Sequence, residues 1–271
     1  MIPSRSDGPQ PAERASMRHV RFLGSLVAEN GLLWTFEWTL SQLLKGVLGR
    51  VERSLESLER RRALPGLSGA AANRSIWDGY DWRRGGEEWT PSAEWKRSLT
   101  ALIRERAPRQ GAILEIGPGA GRWTEALQKL AGALTVVDVS RTSIEACRAR
   151  LAGSDNVRYL VNDGRTLPDI PDDSIDFIWS FDTFVHVSPE DTAAYAGEFR
   201  RVLRSGGRGI VHHPASGGLR GGFRSRMTSD AFTSLLRSTG LVPLEQFDSW
   251  GPQGAFDVKH FGDAITVFAK E

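Results

Sequence analysis

The chain has a single cysteine, Cys147, in 271 residues. That excludes a disulfide framework within the chain and any zinc site built from cysteines. Cys147 sits in a helical pattern and reads as a small core residue. Long apolar runs are also missing. A membrane span requires roughly 18–20 apolar residues. The nearest stretch, 31–48, is interrupted by Glu37, Gln42 and Lys45. The first 19 residues are polar and lack the apolar run of a secretion signal. An excess of one charge is missing too. Lys and Arg number 35 against 33 Asp and Glu, a formal net charge of +2. So small a surplus does not suit a nucleic-acid partner or a strongly acidic one. Together these absences predict a cytoplasmic protein with no transmembrane segment and no nucleic-acid partner.

What is present is ordinary globular material, 40% hydrophobic and 25% charged, in a chain long enough to bury a large core. Residues 1–17, rich in Pro, Ser, Gly and charge, read as a disordered leader. From Val20 to Arg62 the pattern is helical. Leu40, Leu44, Val47, Val51, Leu55 and Leu58 recur at spacings of three and four and align as one apolar stripe. Such a helix packs on the main domain or on a second copy in a homodimer. Trp34 and Trp38, with Lys45 and Arg50 after them, also suit a membrane surface. The Glu residues mixed into the polar face argue against that. Pro65, Gly66 and Gly69 mark a linker. The expected division is therefore 1–70, leader and helical extension, and 71–271, the main domain.

The main domain opens on Trp77, Trp82, Trp89 and Trp95, four of the chain's nine tryptophans. A helix then runs from about Ser92 to Arg106. After it, strands and helices alternate. Ala112–Ile116, Leu134–Asp138, Val157–Val161, Ile175–Ser180 and Gly209–His213 are short, nearly continuous apolar runs, as in a parallel sheet covered on both faces. Helical patterns fill Arg122–Leu130, Ser140–Leu151, Glu190–Leu203 and Thr228–Ser238. Strands near Leu241–Phe247 and Ala264–Ala269 bring the count to seven. This is an α/β, doubly wound arrangement, with its ligand crevice at the carboxyl ends of the strands.

The most informative segment runs from Ala112 to Thr124. An apolar strand carrying Glu115 ends in Gly117-Pro-Gly119-Ala-Gly121 and opens a helix. Glycine there permits positive φ and close approach of a ligand. The spacing differs from the G-x-G-x-x-G of dinucleotide sites. Asp138, followed by Val139, ends the second strand, where an acid can accept from both hydroxyls of a ribose. Asp163 and Gly164 follow the third strand, where a carboxylate can accept from an adenine amino group. Ser180 ends the fourth.

In combination, these features resemble the class I S-adenosylmethionine-dependent methyltransferases. The resemblance covers about Trp77 to Lys270. It implies a Rossmann-like, mostly parallel seven-stranded sheet of order 3-2-1-4-5-7-6. It implies S-adenosyl-L-methionine as cofactor, with Gly117, Gly119 and Gly121 against its methionine part. Asp138 would hold the ribose, Asp163 the adenine, and Ser180 would lie near the cofactor. Glu115, Val139 and Gly164 belong to the same motifs. Tyr80, Trp82 and Trp89 would fold over the cofactor, stack on a substrate, or simply pack a helix onto the sheet.

Methyl transfer is an in-line displacement that needs mainly alignment. A hydroxyl acceptor also needs its proton removed, by a histidine, a carboxylate or a metal. If the segment after the fourth strand turns into a helix, Asp182 and His186 share one face. Asp182 would then orient the His186 ring and raise its pKa. The segment resembles the acid-rich one ending in His-Val of quinone-biosynthesis O-methyltransferases, some of which bind a divalent metal there. Val185 stands where those relatives have a second acid, so no metal ligand set is assigned, and Mg2+ remains only an option. His212 and His213 end the fifth strand, and alternation sends one to each face. Arg220, Arg224 and Arg226 lie in a glycine-rich loop and could grip a carboxylate or phosphate, with Arg224 the substrate-binding choice. The expected activity is O-methylation of a small molecule, foremost a sugar, glycoside or polysaccharide. The enzyme alternatives are N-methylation and methylation of a quinone or lipid. The non-enzyme alternative is a methyltransferase-like binding or assembly module.

Overall fold

The structure, a computed structural model, describes residues 22–23, 26–28, 30–62, 64–217 and 223–271. The expected leader, His19 and Arg220 lie outside the described residues. The chain divides into two compact units, one up to residue 62 and one from residue 63 onward.

The first unit contains helix α1 (Leu32–Arg62). Arg60, Arg61 and Arg62 occupy its last turn, where cations oppose the partial negative charge of the helix end. Leu40, Leu44, Val47, Val51 and Leu55 of the expected stripe are exposed along it.

The second unit begins earlier than residue 71, because the preceding linker is built into it. The Ser68 carbonyl accepts from Ser188 N at 2.8 Å, and Arg226 donates to the Leu64 carbonyl at 2.8 Å. Its helices are α2 (Ala70–Asp78), α3 (Ala93–Arg106), α4 (Thr124–Gln128), α5 (Arg141–Arg150), α6 (Pro189–Val202) and α7 (Ser229–Ser238). Its main strands are β1 (Ala112–Ile116), β2 (Ala133–Asp138), β3 (Val157–Val161), β4 (Ile175–Ser180), β5 (Leu203–Pro214), β6 (Val242–Phe247) and β7 (Asp263–Ala269). They form one seven-stranded sheet in the order β3-β2-β1-β4-β5-β7-β6. The first five are parallel, and β7 runs antiparallel between β5 and β6. This is the Rossmann-like arrangement that the motifs imply.

Side-chain caps start the helices where the sequence places them. Ser92 accepts from Trp95 N at 3.1 Å, Ser140 from Ser143 N at 3.1 Å and Thr228 from Ala231 N at 3.2 Å. In α6 the cap Ser188 is followed by Pro189, with Glu190 and Asp191 in the first turn. The sheet is buried on both faces. On β4, Phe177 and Trp179 enter one core with Leu99, Ile103 and Leu127. Ile178, between them, enters the other with Phe199, Phe232 and Phe268.

Two details depart from the sequence reading. β5 starts at Leu203 instead of Gly209, because Leu203 already pairs with Ile175. A short ribbon, Ser249–Trp250 against Phe256–Asp257, was not anticipated. The parallel strands bring their carboxyl ends to one edge, and the site lies there.

Candidate active site

The chain leaves β1 through a turn that only glycine makes cheaply. Gly117 has φ +70° and Gly119 φ +54°. A Cβ on Gly117 would stand 2.1 Å from Thr183 Oγ1, and one on Gly119 would stand 2.9 Å from the Trp82 ring. Both glycines line a cavity of about 900 Å³. Gly121 does not line it. It packs on α5, with Cys147 Sγ 3.2 Å from where its Cβ would be. That corrects its expected place against the cofactor. Glu115 is also off the cavity wall. It is buried on β1 with Oε2 unpartnered, and burial pushes its carboxyl up to about 8.

Asp138 stands at the end of β2 and faces the cavity with Val139. Its Oδ1 accepts from Ser140 N at 2.9 Å and its Oδ2 from Gly119 N at 3.4 Å. Burial pushes its pKa up to about 6 against the pull of these amides. Gly164 reaches the same cavity. The Asp163 carboxylate does not. It accepts from Arg165 N at 2.8 Å and Thr166 N at 2.7 Å, and these bonds overcome burial to lower its pKa. It lines an adjoining hollow of about 450 Å³ that shares Val137 and Val139 with the cavity. A short polar side chain after a strand readily closes such a turn on its own backbone. Ser180 is also off the cavity wall. It is fully buried and donates to the Ile116 carbonyl at 2.9 Å. Thr183, not singled out from the sequence, is the hydroxyl that covers Gly117.

The opposite wall is aromatic. Tyr80, Trp82 and Trp89 all line the cavity, and Trp77 stands at their centre. Trp77 lies 5.9 Å from both Trp82 and Trp89, and Tyr80 lies 4.8 Å from Trp82. The Tyr80 hydroxyl bonds the Glu88 carboxylate, and burial followed by that partner pushes it up to about 12. Asn73 anchors this wall. Its Nδ2 donates to the His186 carbonyl at 2.8 Å, and its Oδ1 accepts from Trp77 Nε1 at 3.1 Å.

Beyond β4 the expected Asp182–His186 pair does not form. Residues 181–187 make bends and turns instead of a helix, and Asp182 has φ +59°. Its carboxylate bonds Arg122 and lies 3.2 Å from His212 Nδ1. Burial opposes ionisation, but His212 and Arg122 together hold it well below the usual carboxylate range. His186 lines the cavity with its ring stacked on Phe223 at 4.8 Å and tilted against Trp77 at 5.2 Å. Its Nδ1 lies 3.3 Å from the Phe223 carbonyl. Burial among these rings lowers its pKa to about 4, the opposite of the expected rise.

The two histidines of β5 do diverge to opposite faces, as alternation requires. His213 is buried on the far face. Its Nε2 is 2.7 Å from Thr266 Oγ1 and its Nδ1 2.8 Å from the Pro214 carbonyl. Both ring nitrogens are engaged in the core, which removes it as a proton acceptor for a substrate. His212 lies behind the cavity wall, its ring stacked 4.3 Å from Phe181. Arg224 does line the cavity, but its guanidinium is bonded to Asp263 and lies over Phe261 at 5.7 Å. Among the described residues, no three His, Cys, Asp or Glu side chains come together to hold a metal ion.

Arg122, Thr183, Phe223, Phe261 and Asp263 line the cavity without having been singled out as site residues. Arg122 follows Gly121 directly, and that adjacency was the one available signal. Asp263 reaches the site only because β7 inserts beside β5.

Residues 113–207 match the family model described as "Methyltransferase domain". The structure resembles a TehB-like SAM-dependent methyltransferase from Corynebacterium glutamicum with a TM-score of 0.56 at 20% identity, over 73% of this chain and 100% of that one. The match to a methyltransferase domain thus covers β1 to the start of β5, and the fold is that of the Corynebacterium glutamicum protein. This chain is 33% identical over 134 residues to a Mycobacterium marinum protein named "Putative O-methyltransferase", covering 46% of this chain and 58% of the relative. It is 28% identical over 119 residues to a demethylmenaquinone methyltransferase of Tropheryma whipplei, covering 44% and 47%. The chain spans about half the length of the curated relatives it matches.

The site fits S-adenosylmethionine. The glycine turn bares backbone at one end of the cavity, and Asp138 presents a buried carboxylate beside it. The volume lies within the range of about 300–1,000 Å³ that small-molecule sites occupy.

Proposed function

We propose that the chain is an S-adenosylmethionine-dependent methyltransferase acting on a hydroxyl of a small molecule, foremost a sugar, glycoside or glycan. One observation carries this reading. A single cavity joins the Gly117–Gly119 turn and Asp138 to an aromatic wall that holds His186, with a second histidine, His260, beside Phe261.

The bound cofactor would supply a methyl group activated on a positively charged sulfur. The rest falls to the chain. Asp138 accepts from the ribose hydroxyls. Gly117 and Gly119 let the backbone approach the cofactor without a side chain between. Trp77, Tyr80, Trp82 and Trp89 exclude water and offer flat faces on which a sugar ring can lie. His186 takes the proton of the acceptor hydroxyl. The Phe223 carbonyl can only accept, so Nδ1 of His186 carries the hydrogen and Nε2 is left as the acceptor. Burial keeps the ring uncharged, which is the form that receives a proton.

A second enzyme reading, methylation of a quinone or lipid, is favoured by the same aromatic wall and by the name of the Tropheryma whipplei relative. N-methylation of an amine needs only the positioning part of the machinery. A binding or assembly module remains the non-enzyme reading. We also infer a cytoplasmic setting. No helix among the described residues is long and apolar enough to cross a membrane. The exposed stripe of α1 supports a homodimer, which light scattering tests.

The deciding experiment is transfer of a radiolabelled methyl group to a panel of glycosides, oligosaccharides, amines and quinols, with and without chelator. Label in a glycoside, unaffected by chelation, supports the first reading. Label confined to quinols or amines replaces it with the corresponding alternative. Loss of activity on chelation would assign proton removal to a metal such as Mg2+. Failure to bind the cofactor at all would leave the module reading.

A further inference from the structure

Five charged or titratable side chains form a chain behind and along the cavity. Arg122, from the glycine-rich turn, bonds Asp182. His212 Nδ1 accepts from the Asp182 backbone N at 3.2 Å, and Asp182 Oδ1 lies equally close to it at 3.2 Å. His212 Nε2 lies 3.3 Å from Asp263 Oδ2, an ion-pair contact without hydrogen-bond alignment. Asp263 bonds Arg224 through its other oxygen. His212 and Asp263 are each about 99% buried as side chains, and Arg122 about 94%. Five separate segments contribute: the turn after β1, the bend after β4, the end of β5, the loop that precedes α7, and the start of β7.

The placement is costly to build. Asp182 occupies the left-handed region at φ +59°, which disfavours residues other than glycine. The Asp263 carboxylate stands in an interior that penalises charge unless it is paired, and that of Asp182 is half-buried beside it. Each has one arginine and shares the same imidazole. The ring cannot move far, because Phe181 is stacked on one side of it. The outer members all line the cavity, two toward the glycine turn and two toward Phe223 and Phe261, whereas His212 does not.

We propose that His212 is a positioning residue, a buried link that locks the Arg122–Asp182 pair and the Asp263–Arg224 pair into one unit, so that the two ends of the cavity hold their geometry together. Asp182 and Asp263 meet across its ring. A change at Asp263 is therefore felt at the turn that carries Gly117 and Gly119, through Asp182 and its neighbour Thr183. His212 touches no reacting atom in this arrangement. The inference rests on the cofactor-binding reading for one of its two measurements only.

The first measurement is the affinity for S-adenosylhomocysteine by calorimetry. Asp263→Asn keeps the shape of the side chain and weakens its grip on the ring. It should weaken cofactor-product binding by about 3- to 10-fold, a usual size for coupling between sites. In a His212→Gln background the same substitution should leave the affinity unchanged, because glutamine reproduces Nε2 but cannot also meet Asp182. An unchanged affinity in the otherwise native protein, or the same loss in both backgrounds, overturns the proposal. A merely structural histidine would lower stability without creating this dependence on background.

The second measurement needs no ligand. Asp182→Asn and Asp263→Asn, alone and together, are compared in urea unfolding. Their effects on the unfolding constant should depart from additivity by about 3- to 30-fold, as for side chains in one network, and become additive in His212→Gln. Additivity in the native background overturns the link. If the protein binds no S-adenosylhomocysteine yet the unfolding cycle is coupled, the cofactor reading fails and the link stands.

Discussion

The cavity has two ends built on different principles. At the cofactor end, the turn after β1 and Asp138 at the end of β2 belong to one stretch, 112–139. At the acceptor end, the wall gathers Trp77, Trp89, Asp182, His186, Phe223 and Asp263 from five places in the chain. Backbone shape defines the first and side-chain partnership the second. Substitutions at the cofactor end should therefore act on binding, whereas those of acceptor-wall residues outside the His212 network should act on turnover and on acceptor choice.

The test with the largest expected effect lies at the acceptor end. His186→Ala should cut turnover by about 10²- to 10⁴-fold, the usual worth of a positioned base, and leave cofactor affinity nearly unchanged. The pH profile sharpens it. Burial lowers the His186 pKa to about 4, so the ring is neutral throughout the physiological range. At saturating cofactor, the rate should then be flat with pH from about 6 to 8. A rate that climbs through this window as a single titration would mean that another group takes the proton. His213→Ala is the useful control, since its ring nitrogens are engaged in the core.

At the other end, Asp138→Ala removes the carboxylate that faces the cavity. Hydrogen bonds to a charged group are worth about 1.5–3 kcal/mol, so S-adenosylmethionine binding should weaken by roughly 10- to 150-fold. Isothermal titration measures this directly. Unchanged affinity would break the division between the two ends.

The same contrast explains what could be read from the sequence. The seven strands, the Ser92, Ser140 and Thr228 caps and the Gly117–Gly119 turn depend on short-range rules of period, capping and φ. All are where those rules put them except the start of β5, which pairing with Ile175 extends back to Leu203. The acceptor end depended on one local assumption, that the chain after β4 continues as a helix. Asp182 at φ +59° breaks it, and with it the pairing to His186. The partner it takes instead, His212, sits one strand over in the sheet. No spacing rule relates 182 to 212 or to 263. Asp163 and Ser180 lie at the expected strand ends, and what no spacing rule foretold is the backbone partner that each side chain takes there.

Trp77 offers a third, smaller test. It was passed over as a site residue, yet its ring contacts Tyr80, Trp82, Trp89, His186 and Phe223. Aromatic pairs contribute about 0.5–1.5 kcal/mol each beyond their burial. Trp77→Ala should raise the acceptor KM by roughly 2- to 13-fold on that scale, with cofactor affinity little changed. A larger loss of cofactor binding than of acceptor binding would show that this wall belongs to the cofactor end instead.

The smallest expected effect comes from Asp138 itself and from pH alone. Burial, its largest influence, pushes the folded-state pKa up to about 6, above the ordinary carboxylate value. The protonated form is thus favoured by folding in the apoprotein. The sign for stability follows. Below the unfolded pKa both states hold the proton and nothing is lost. As pH rises toward 6 the unfolded chain releases it first, so this group's contribution to stability falls across that interval. Cofactor binding should run the other way, because only the carboxylate accepts two hydroxyl hydrogens. Between pH 7.5 and pH 6 the ionised fraction falls to about one half. The apparent affinity for S-adenosylmethionine should drop by about twofold over that range, and Asp138→Asn should abolish the dependence. Titrations at the two pH values decide it. A pH dependence that survives Asp138→Asn would assign it to another buried acid, and Glu115, pushed up to about 8 beneath the same turn, is the one to substitute next.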